Sequence, residues 1–362
     1  MSKRRVSLAS GAPIRLERSA KRISIHEQLS SELGKFLRTE RLFDKETLQG
    51  LLFLIGEMMN YKEEGIKLFP EVFVLKEVRS ALRSLPNSEG ISVGSGPKSS
   101  STLHMALKTC APLAQYGWSV YVCPRADRFE YGLLRCGLTA LSLLASEQLI
   151  DEGARVLPAV LITHTSRNAI QVSGANKSKL QIYFGAMEQS TGDPSIITKR
   201  FCQAIVSSVP DHLHDSVLTL YSRVFAGVLR GGHGCLSAVL NVSKRSLPPQ
   251  LRDGVSIRPP VDVASKVGDL LGRSVCESDT KLRATAALIR GMLMSDGVTV
   301  FRSDASVLAY HVFVKEPKAG GESVGGARRR AFEALCGWVG QDLDAAFFLS
   351  QDGHVEVRGG KG

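Results

Sequence analysis

The feature that most constrains the fold is the alternation of helix-like and strand-like segments along the chain. Apolar residues recur at helical spacing in Ile25–Tyr61, and again in Phe201–Val209 and Leu218–Leu229. A compact β-like run, Trp118–Val122, stands between these helical patterns. Because helices and strands that alternate in sequence pack as layers, a mixed α/β fold is predicted, with an N-terminal helical segment, a central α/β module and a C-terminal mixed sheet flanked by helices.

The central part of the chain carries several further patterns. Asn87–Ser101 is rich in glycine and serine and is predicted to be a loop. The leucine-rich segment Leu133–Leu149 is predicted to be a long helix. Val156–Thr163, Ile170–Val172 and Gln181–Phe184 have the composition of short strands, which places a sheet in this region.

The C-terminal part gives the clearest local patterns. An amphipathic helix precedes two strands, a glycine-rich loop leads into a second helix, and an Asp-Gly turn joins a closing hairpin. The predicted elements are the helices Lys281–Met294 and Arg328–Trp338, the strands Val298–Phe301, Ser306–Val314, Ala345–Leu349 and His354–Val357, and the loop Glu316–Gly326.

With 362 residues the chain is long enough for two domains or three small ones, each with its own core. The prediction divides it into a basic flexible arm (residues 1–24), an N-terminal helical and α/β module (25–215) and a C-terminal domain (216–362). The proline-rich segment Ser246–Val261 is either a linker or a long loop inside the last domain, and the sequence leaves both interpretations open.

The charge of the chain is uneven. Its formal net charge is +11, and the N-terminal arm has a marked basic excess, with Glu17 as its one acid. Such an arm can bind nucleic acid or an acidic partner, although terminal tails of this kind are more often solvated and unstructured. The basic residues of the arm are Lys3, Arg4, Arg5, Arg15, Arg18, Lys21 and Arg22.

Cysteine usage and hydropathy favour a cytoplasmic protein without a membrane partner. The seven cysteines are scattered singly, with no CxxC pair, which is typical of reduced thiols. The basic start of the chain is not followed by an apolar core, so it does not have the pattern of a secretory signal. No apolar run approaches the length that a membrane span needs.

Three C-terminal segments carry residue types suited to nucleotide chemistry. Asp296-Gly297 stands at a predicted helix-to-strand turn, where a carboxylate can meet a metal or a hydroxyl. Gly326 precedes a helix that begins with Arg328–Arg330, and free helix-start amides and guanidinium groups both bind phosphate. Ser350–Gly353 is a polar hairpin turn. Each segment alone is equally explained by a common turn or a solvated helix face, so their order and spacing carry the signal.

That order resembles the diadenylate cyclase family. In the family an Asp-Gly-Ala motif follows a helix, a Gly-Thr-Arg-His-Arg-Ala-Ala motif begins a later helix, and a Ser-Glu-Glu-like hairpin follows. The matching stretches are Asp296–Val298, Gly326–Phe332 and Ser350–Gly353, and Gly231–Leu236 is similar to the family's early Gly-Ala-Leu strand. The resemblance extends over roughly Leu218–Val357, about the size of one small domain.

The resemblance implies a nucleotide site in a C-terminal diadenylate-cyclase-like domain. In the family, two domains meet face to face, each holds an ATP, and the two nucleotides are joined into cyclic di-AMP. Carried over, Asp296 would be the catalytic carboxylate that faces a hydroxyl or a metal, Mg²⁺ or Mn²⁺, and Arg328 and Arg330 would contact phosphates. The other nucleotide-binding residues implied are Gly232, His233, Gly297, Gly326, Arg329 and Ser350.

Three departures from the family pattern weaken the case for catalysis. Arg329 replaces the central histidine, and a guanidinium is always charged and cannot ligate a metal or shuttle a proton. Val298 replaces a small alanine, and Gln351 replaces an acid. These changes keep anion-binding power while removing parts of the catalytic set, which is what a nucleotide sensor would need.

The upstream region has a second resemblance. Glu63–Glu71, Ala111–Trp118 and Glu130–Arg135 are similar to the bacterial DACNV-type sensor domain family, in which a distinctive N-terminal module is joined to a cyclase-like domain. That resemblance implies nucleotide-linked signalling or bacterial defence. Core packing and turns explain the same residues equally well, because large aromatic side chains commonly fill a core.

Two other segments contain residue types that can bind a metal or a phosphate. Asp211–Asp215 holds two histidines and two aspartates, which suits either a metal cluster or a solvated helix start. Ser92–Ser99 is glycine- and serine-rich, but it lacks the spacing of a phosphate-binding loop and is predicted to be a flexible loop.

The sequence therefore leaves three functions open. The first is a nucleotide or cyclic-nucleotide sensor that signals to an unidentified effector protein, as a monomer, a homodimer or a higher oligomer. The second is an active metal-dependent cyclase that makes a cyclic dinucleotide from ATP or another NTP. The third is a nucleic-acid-binding protein that uses the basic arm.

Overall fold

The computed structural model describes residues 25–115, 117–137, 139–151, 157–176, 178–184, 193–231, 234–244, 246–272, 275–314 and 326–360. The basic arm and most of the predicted loop Glu316–Gly326 lie outside the described residues. As predicted, the fold is mixed α/β, and all but two of its described strands form two large sheets. None of the described helices is long and apolar enough to cross a membrane.

Groups of helices and groups of strands follow one another along the described chain. The helices are α1 (Ile25–Thr39), α2 (Lys45–Asn60), α3 (Val78–Ser84), α4 (Ser100–Cys110), α5 (Pro194–Ile205), α6 (Asp211–Gly231), α7 (Val263–Gly272), α8 (Val275–Leu293) and α9 (Ala327–Trp338). The strands are β1 (Lys62–Glu63), β2 (Ile66–Lys67), β3 (Val72–Leu75), β4 (Glu89–Pro97), β5 (Trp118–Pro124), β6 (Arg128–Arg135), β7 (Ala159–Ser166), β8 (Ala169–Gly174), β9 (Lys179–Tyr183), β10 (Cys235–Leu240), β11 (Val255–Asp262), β12 (Val298–Arg302), β13 (Ser306–Val312), β14 (Leu343–Leu349) and β15 (Val355–Gly359).

The first sheet has the strand order β4-β6-β5-β3-β7-β8-β9. Only β3 and β5 pair in parallel among these neighbours. Helices α1, α2 and α4 cover one face through a core that includes Leu54, Leu107 and Phe129, and a smaller core around Phe73 lies on the other face. Because both faces are covered, the central strand β3 is apolar and buried along its whole length.

The second sheet has the strand order β11-β13-β12-β10-β14-β15. Its central strands β10 and β12 are parallel, and the outer strands are antiparallel. Helices α5 to α8 cover one face, where Phe201, Phe225, Phe301 and Phe347 form an aromatic core with ring centroids 5.1–6.4 Å apart. Helix α9 covers the other face through Phe332 and Leu335.

The predicted helix Ile25–Tyr61 is divided in the structure. Helix α1 ends at Thr39, Arg41 adopts a left-handed backbone conformation (φ 57°), and α2 begins at Lys45. Asp44 is the N-cap of α2, and its Oδ1 accepts a hydrogen bond from the amide of Thr47 at 2.7 Å. The apolar spacing fits both helices, so periodicity alone does not reveal the turn.

Two of the predicted elements are wrong. The predicted loop Asn87–Ser101 contains the edge strand β4, whose residues are almost all exposed, so no alternation of apolar residues marks it. The predicted helix Leu133–Leu149 begins inside strand β6, because Leu133 and Leu134 are buried in the first sheet. The strands and hairpins predicted in the C-terminal part are confirmed.

The predicted division between residues 215 and 216 falls inside α6. Helices α5 and α6 both contribute to the core of the second sheet, and α6 also packs against β7 of the first sheet. The first module is therefore the first sheet with helices α1–α4, and the second module is the second sheet with helices α5–α9. The proline-rich segment Ser246–Val261 leads into β11, the edge strand of the second sheet, so it belongs to that module and is not a linker between domains.

Candidate functional site

The turn between α8 and β12 positions Asp296 at one end of the second sheet. Two hydroxyl groups fix the end of α8: Ser295 and Thr299 each donate to the carbonyl of Met292, at 2.6 and 3.0 Å. Thr299 is buried in β12, so the strand itself anchors the helix end. Asp296 therefore occupies a defined turn, while its side chain stays 75% exposed.

Gly297 is required where the chain enters β12. It has a φ of +86°, and a Cβ at this position would lie 2.9 Å from backbone atoms of His311 and Val312 on the neighbouring strand. His311 Nδ1 lies 2.8 Å from the carbonyl oxygen of Asp296, and since a carbonyl oxygen only accepts, Nδ1–H is the donor. This contact holds the Asp296 backbone against β13.

Arg328 reaches the same place from the first turn of α9. Its Nη2 donates to Asp296 Oδ1 at 3.0 Å. A Cβ at Gly234 (φ +69°) would lie 2.8 Å from Arg328 Nη1 and 3.0 Å from the Leu349 carbonyl oxygen. It would also lie 3.4 Å from the Gln351 amide nitrogen. The guanidinium thus contacts Asp296 in the α8–β12 turn and lies against Gly234, the residue before β10, which the β14–β15 turn also approaches.

Arg329 points to a different set of partners. Its Nε donates to Glu333 Oε1 at 3.1 Å, and its Nη1 pairs with Glu356 on β15. The hydrogen bond to Glu356, more than that to Glu333, raises the pKa of Arg329, and the guanidinium carbon lies 5.6 Å from the ring centroids of Phe332 and Phe348. Since successive helical residues point about 100° apart, Arg328 and Arg329 cannot share one face. Arg329, predicted as a phosphate contact, is instead held by two carboxylates.

The remaining residues predicted for the site either stabilise the backbone near it or lie outside the described residues. Ser350 Oγ accepts a hydrogen bond from the His354 amide at 2.9 Å, so Ser350 stabilises the β14–β15 turn beside the site. Gly326 is the N-cap of α9, and Arg330 donates its amide to the Gly326 carbonyl at 3.2 Å. Gly232 and His233 lie outside the described residues.

The electrostatics of α9 favour an anion at this end of the sheet. Aligned peptide dipoles give a helix N-terminus a partial positive charge, which acidic side chains usually complement. Helix α9 has no acidic residue in its first turn, where Arg328, Arg329 and Arg330 follow Ala327. Asp296 and Glu356 supply the nearby negative charge, each through one of these arginines.

The Asp296 carboxylate is the type of group that binds a divalent cation. Within the described residues, no group of three or more His, Cys, Asp or Glu side chains lies close enough to hold a metal ion. Mg²⁺ is often bound by one or two carboxylates together with substrate phosphates. The exposed Asp296 carboxylate could serve as one such ligand.

Sequence reasoning missed two contributors to the site. His311 was not singled out, because its contact with Asp296 depends on the pairing of β12 and β13. Asn168, in the β7–β8 turn of the first sheet, donates to the Asp352 carbonyl at 3.2 Å and touches the hairpin beside the site. No local pattern could have indicated a contact between residues so far apart in sequence.

The two other segments weighed from the sequence have ordinary structural roles. His212 and His214 lie in the first turns of α6, where His214 Nδ1 is 3.2 Å from Asp215 Oδ1. Ser92 belongs to β4, and Ser99 is the N-cap of α4.

Comparisons with protein-family models, with curated proteins and with solved structures found no match.

Proposed function

We propose that the protein is a nucleotide-binding sensor whose C-terminal module is a degenerate diadenylate-cyclase-like domain. The observation that carries the proposal is the 3.0 Å contact between Arg328 and Asp296 at the end of the second sheet, because it brings two segments of the sequence motif together. Gly234, which precedes β10, lies against the same guanidinium, and the turn at Gln351 lies close to Gly234. The order of these segments in the sequence resembles the diadenylate cyclase family.

A phosphate group is the ligand that this arrangement favours. Arg328 is one-third exposed and can offer a planar pair of donors to phosphate oxygens. The free amides in the first turn of α9 and the positive end of its dipole both favour an anion at this end of the helix. A bound phosphate would compete with Asp296 for Arg328, so binding would free the Asp296 carboxylate at the same step.

Binding without turnover is favoured by what surrounds Arg328. Arg329 occupies the place of the family's central histidine, and its charge is committed to Glu333 and Glu356. Gln351 stands in place of an acid. Together these features support recognition of phosphate more than proton transfer or metal-assisted attack.

The hairpin beside the site offers a route by which binding could be sensed. The Asp352 carbonyl accepts a hydrogen bond from Asn168 of the first sheet, next to the turn that approaches Arg328. A ligand that reorders the Gln351 turn would therefore change a contact between the two modules. An effector protein that recognises that contact surface would complete a signalling system.

The proposal is tested by calorimetric titration of the full chain with ATP, GTP and cyclic di-AMP, with and without Mg²⁺ or Mn²⁺. In parallel, mixtures incubated with ATP, GTP or mixed NTPs are searched for cyclic dinucleotides by mass spectrometry. We expect binding of at least one nucleotide, no cyclic product, and at least tenfold weaker binding in Arg328→Ala, since charge-assisted hydrogen bonds are worth about 1.5–3 kcal/mol.

A matched control is Lys199→Ala, which removes one positive charge from the exposed face of α5. It should bind as the unaltered protein does. A cyclic dinucleotide that disappears in Asp296→Ala would instead make the protein an active cyclase. If no nucleotide binds, the proposal fails, and salt-dependent binding of nucleic acid that is lost on deletion of residues 1–24 would favour the third function.

A further inference from the structure

A cleft of about 550 Å³ lies between the two modules, away from Asp296 and Arg328. Its walls come from the chain before β3, from the turn before β5 and from the last turns of α6 and α8. This volume is within the usual range for small-molecule sites, which often lie at interfaces between modules. The lining residues used below are Lys67, Phe69, Glu71, Trp118, Arg230 and Arg290.

Positive charge dominates the cleft. Arg230 lies in the last turn of α6 and Arg290 in the last turn of α8, and Lys67 joins them from the first module. Glu71 is the acidic residue in the lining, and its Oε1 is 3.6 Å from Arg230 Nη1. Cations suit helix C-termini, but this placement also brings like charges together in one cleft.

Arg290 is the least compensated of these cations. Within the described residues its guanidinium makes no hydrogen bond or ion pair, and it lies against α6, 3.4 Å from the position of a Cβ at Gly227. Partial desolvation, and then the charge of Arg230, lower the pKa of Arg290. Burial and the charges of Arg167 and Lys62 likewise lower the pKa of Lys67. A bound anion would relieve this repulsion.

The remaining wall is apolar and partly aromatic. Phe69 and Trp118 line the cleft and are half-buried, so each presents part of a ring to it. Leu68 and Leu144 line it as well. Flat apolar surface beside two guanidinium groups suits a ligand with a planar ring and a phosphate, because rings stack on aromatic faces while arginine binds phosphate oxygens.

We propose that this cleft is a second ligand site, which binds a small phosphate-bearing molecule with a planar ring through Arg230 and Arg290. It is separate from the site at the end of the second sheet, and it does not depend on that site binding a nucleotide. The occupant lies between α6, α8 and the first module, so its affinity depends on how the two modules are packed together.

The test uses Trp118 as the reporter. The chain has two tryptophans, and Trp338→Phe leaves Trp118 as the only one. In this background, tryptophan fluorescence is followed during titration with adenosine monophosphate, adenosine and inorganic phosphate. We expect a saturable change with adenosine monophosphate that is at least tenfold weaker with adenosine, and an at least tenfold loss of affinity in Arg290→Gln.

The variants separate the two sites. Lys281→Gln removes one exposed charge from the same helix, α8, and should leave the titration unchanged. Arg328→Gln should also leave it unchanged, whereas it weakens binding at the end of the sheet. The proposal is overturned by the absence of a saturable signal with adenosine monophosphate, by equal affinity for adenosine, or by a titration that responds to Arg328→Gln and not to Arg290→Gln.

Discussion

Helices α6 and α8 share a face that packs against the first module. At one end of this face, the tight end, several hydrogen bonds link the helices to the first module. The other end, the open end, lines the cleft. At the tight end, Arg223 donates to the carbonyls of Ala140 and Ser142, at 2.6 and 3.0 Å, and to Glu147 Oε2 at 2.7 Å. Asp279 of α8 accepts a hydrogen bond from the Ala140 amide. Two helices of the second sheet thus hold one short segment of the first module.

At the open end the same helices offer Arg230 and Arg290. Arg230 follows Arg223 by about two turns, and Arg290 follows Asp279 by about three, so each pair lies on one helix face. The groups available to them are fewer: Arg230 approaches Glu71 only to 3.6 Å. The comparison indicates that the tight end stabilises the packing of the modules, while the arginines of the open end have fewer contacts with the first module.

The largest expected effect is on the tight end. Arg223→Ala would leave two carbonyls and the Glu147 carboxylate without their shared donor, in surroundings where Arg223 is 19% exposed. Removing one partner of a largely buried pair is costly, so we expect the free energy of unfolding to fall by about 3 kcal/mol. Urea unfolding followed by circular dichroism measures this. A loss no greater than that in Arg230→Ala would remove the distinction between the two ends.

The next largest expected effect is the contribution of His164 to the free energy of unfolding, which depends on pH. It lies on β7, is 3% exposed, and has its Nε2 3.1 Å from the Met58 carbonyl oxygen. Burial lowers the pKa of His164 from its ordinary value of 6.5 to about 4, and the positive charges of Lys67 and Arg230 also lower it. Its neighbour Phe69 lines the cleft, at 5.0 Å between ring centroids.

The sign of the pH effect follows from these two values. Below 6.5 the unfolded chain takes up a proton that folded His164 refuses, so stability is present above pH 6.5 and is lost as the pH falls toward 4. The loss attributable to this residue between pH 7 and pH 5 is about 2 kcal/mol. His164→Gln keeps a donor for Met58 and should remove this part of the slope in urea unfolding. An unchanged slope would mean that His164 titrates normally.

Loss of the Asp279 side chain should lower the free energy of unfolding by a smaller amount. Glu277, on the same helix, is the matched control. Asp279 and Glu277 each pair with a basic residue one turn later, Arg283 and Lys281, both at 2.6 Å. Only Asp279 also accepts the Ala140 amide. We expect Asp279→Ala to lower the free energy of unfolding by about 1 kcal/mol more than Glu277→Ala. Equal losses would show that the hydrogen bond to Ala140 contributes nothing.

The C-terminal hairpins and helices could be predicted because their signals are local. Strands β12 and β14 are buried apolar runs bounded by turns, and the Asp352-Gly353 dipeptide marks the last hairpin. Strand β4 gave no such signal, because an exposed edge strand needs no apolar alternation. The leucines of β6 and of the segment after it have a spacing that also fits a helix. The pairing of β6 with β4 and β5, which the local sequence does not reveal, is what places Leu133 and Leu134 in a strand.

The candidate site was predictable in its sequence order but not in its partners. The motif order indicated Asp296 and Arg328, and the structure brings them into contact. It could not indicate that Arg329 turns toward Glu356, since that depends on where β15 lies beside α9. The contrast between Arg223 and Arg230 was equally hidden, because both are arginines on one helix face and differ only in what the first module presents to them.

The smallest expected effect concerns the open end itself. Arg230→Gln should change the free energy of unfolding by less than about 1 kcal/mol, because its contact with Glu71 is long and partly exposed. It should nevertheless raise the pKa of His164 by a fraction of a unit, since Arg230 is one of the charges that disfavour protonation. Histidine NMR titration measures the pKa, with Lys281→Gln as the control for loss of a distant charge. An unchanged pKa of His164, together with a loss of stability as large as that in Arg223→Ala, would contradict this comparison. It would mean that Arg230 stabilises the packing of the modules as Arg223 does.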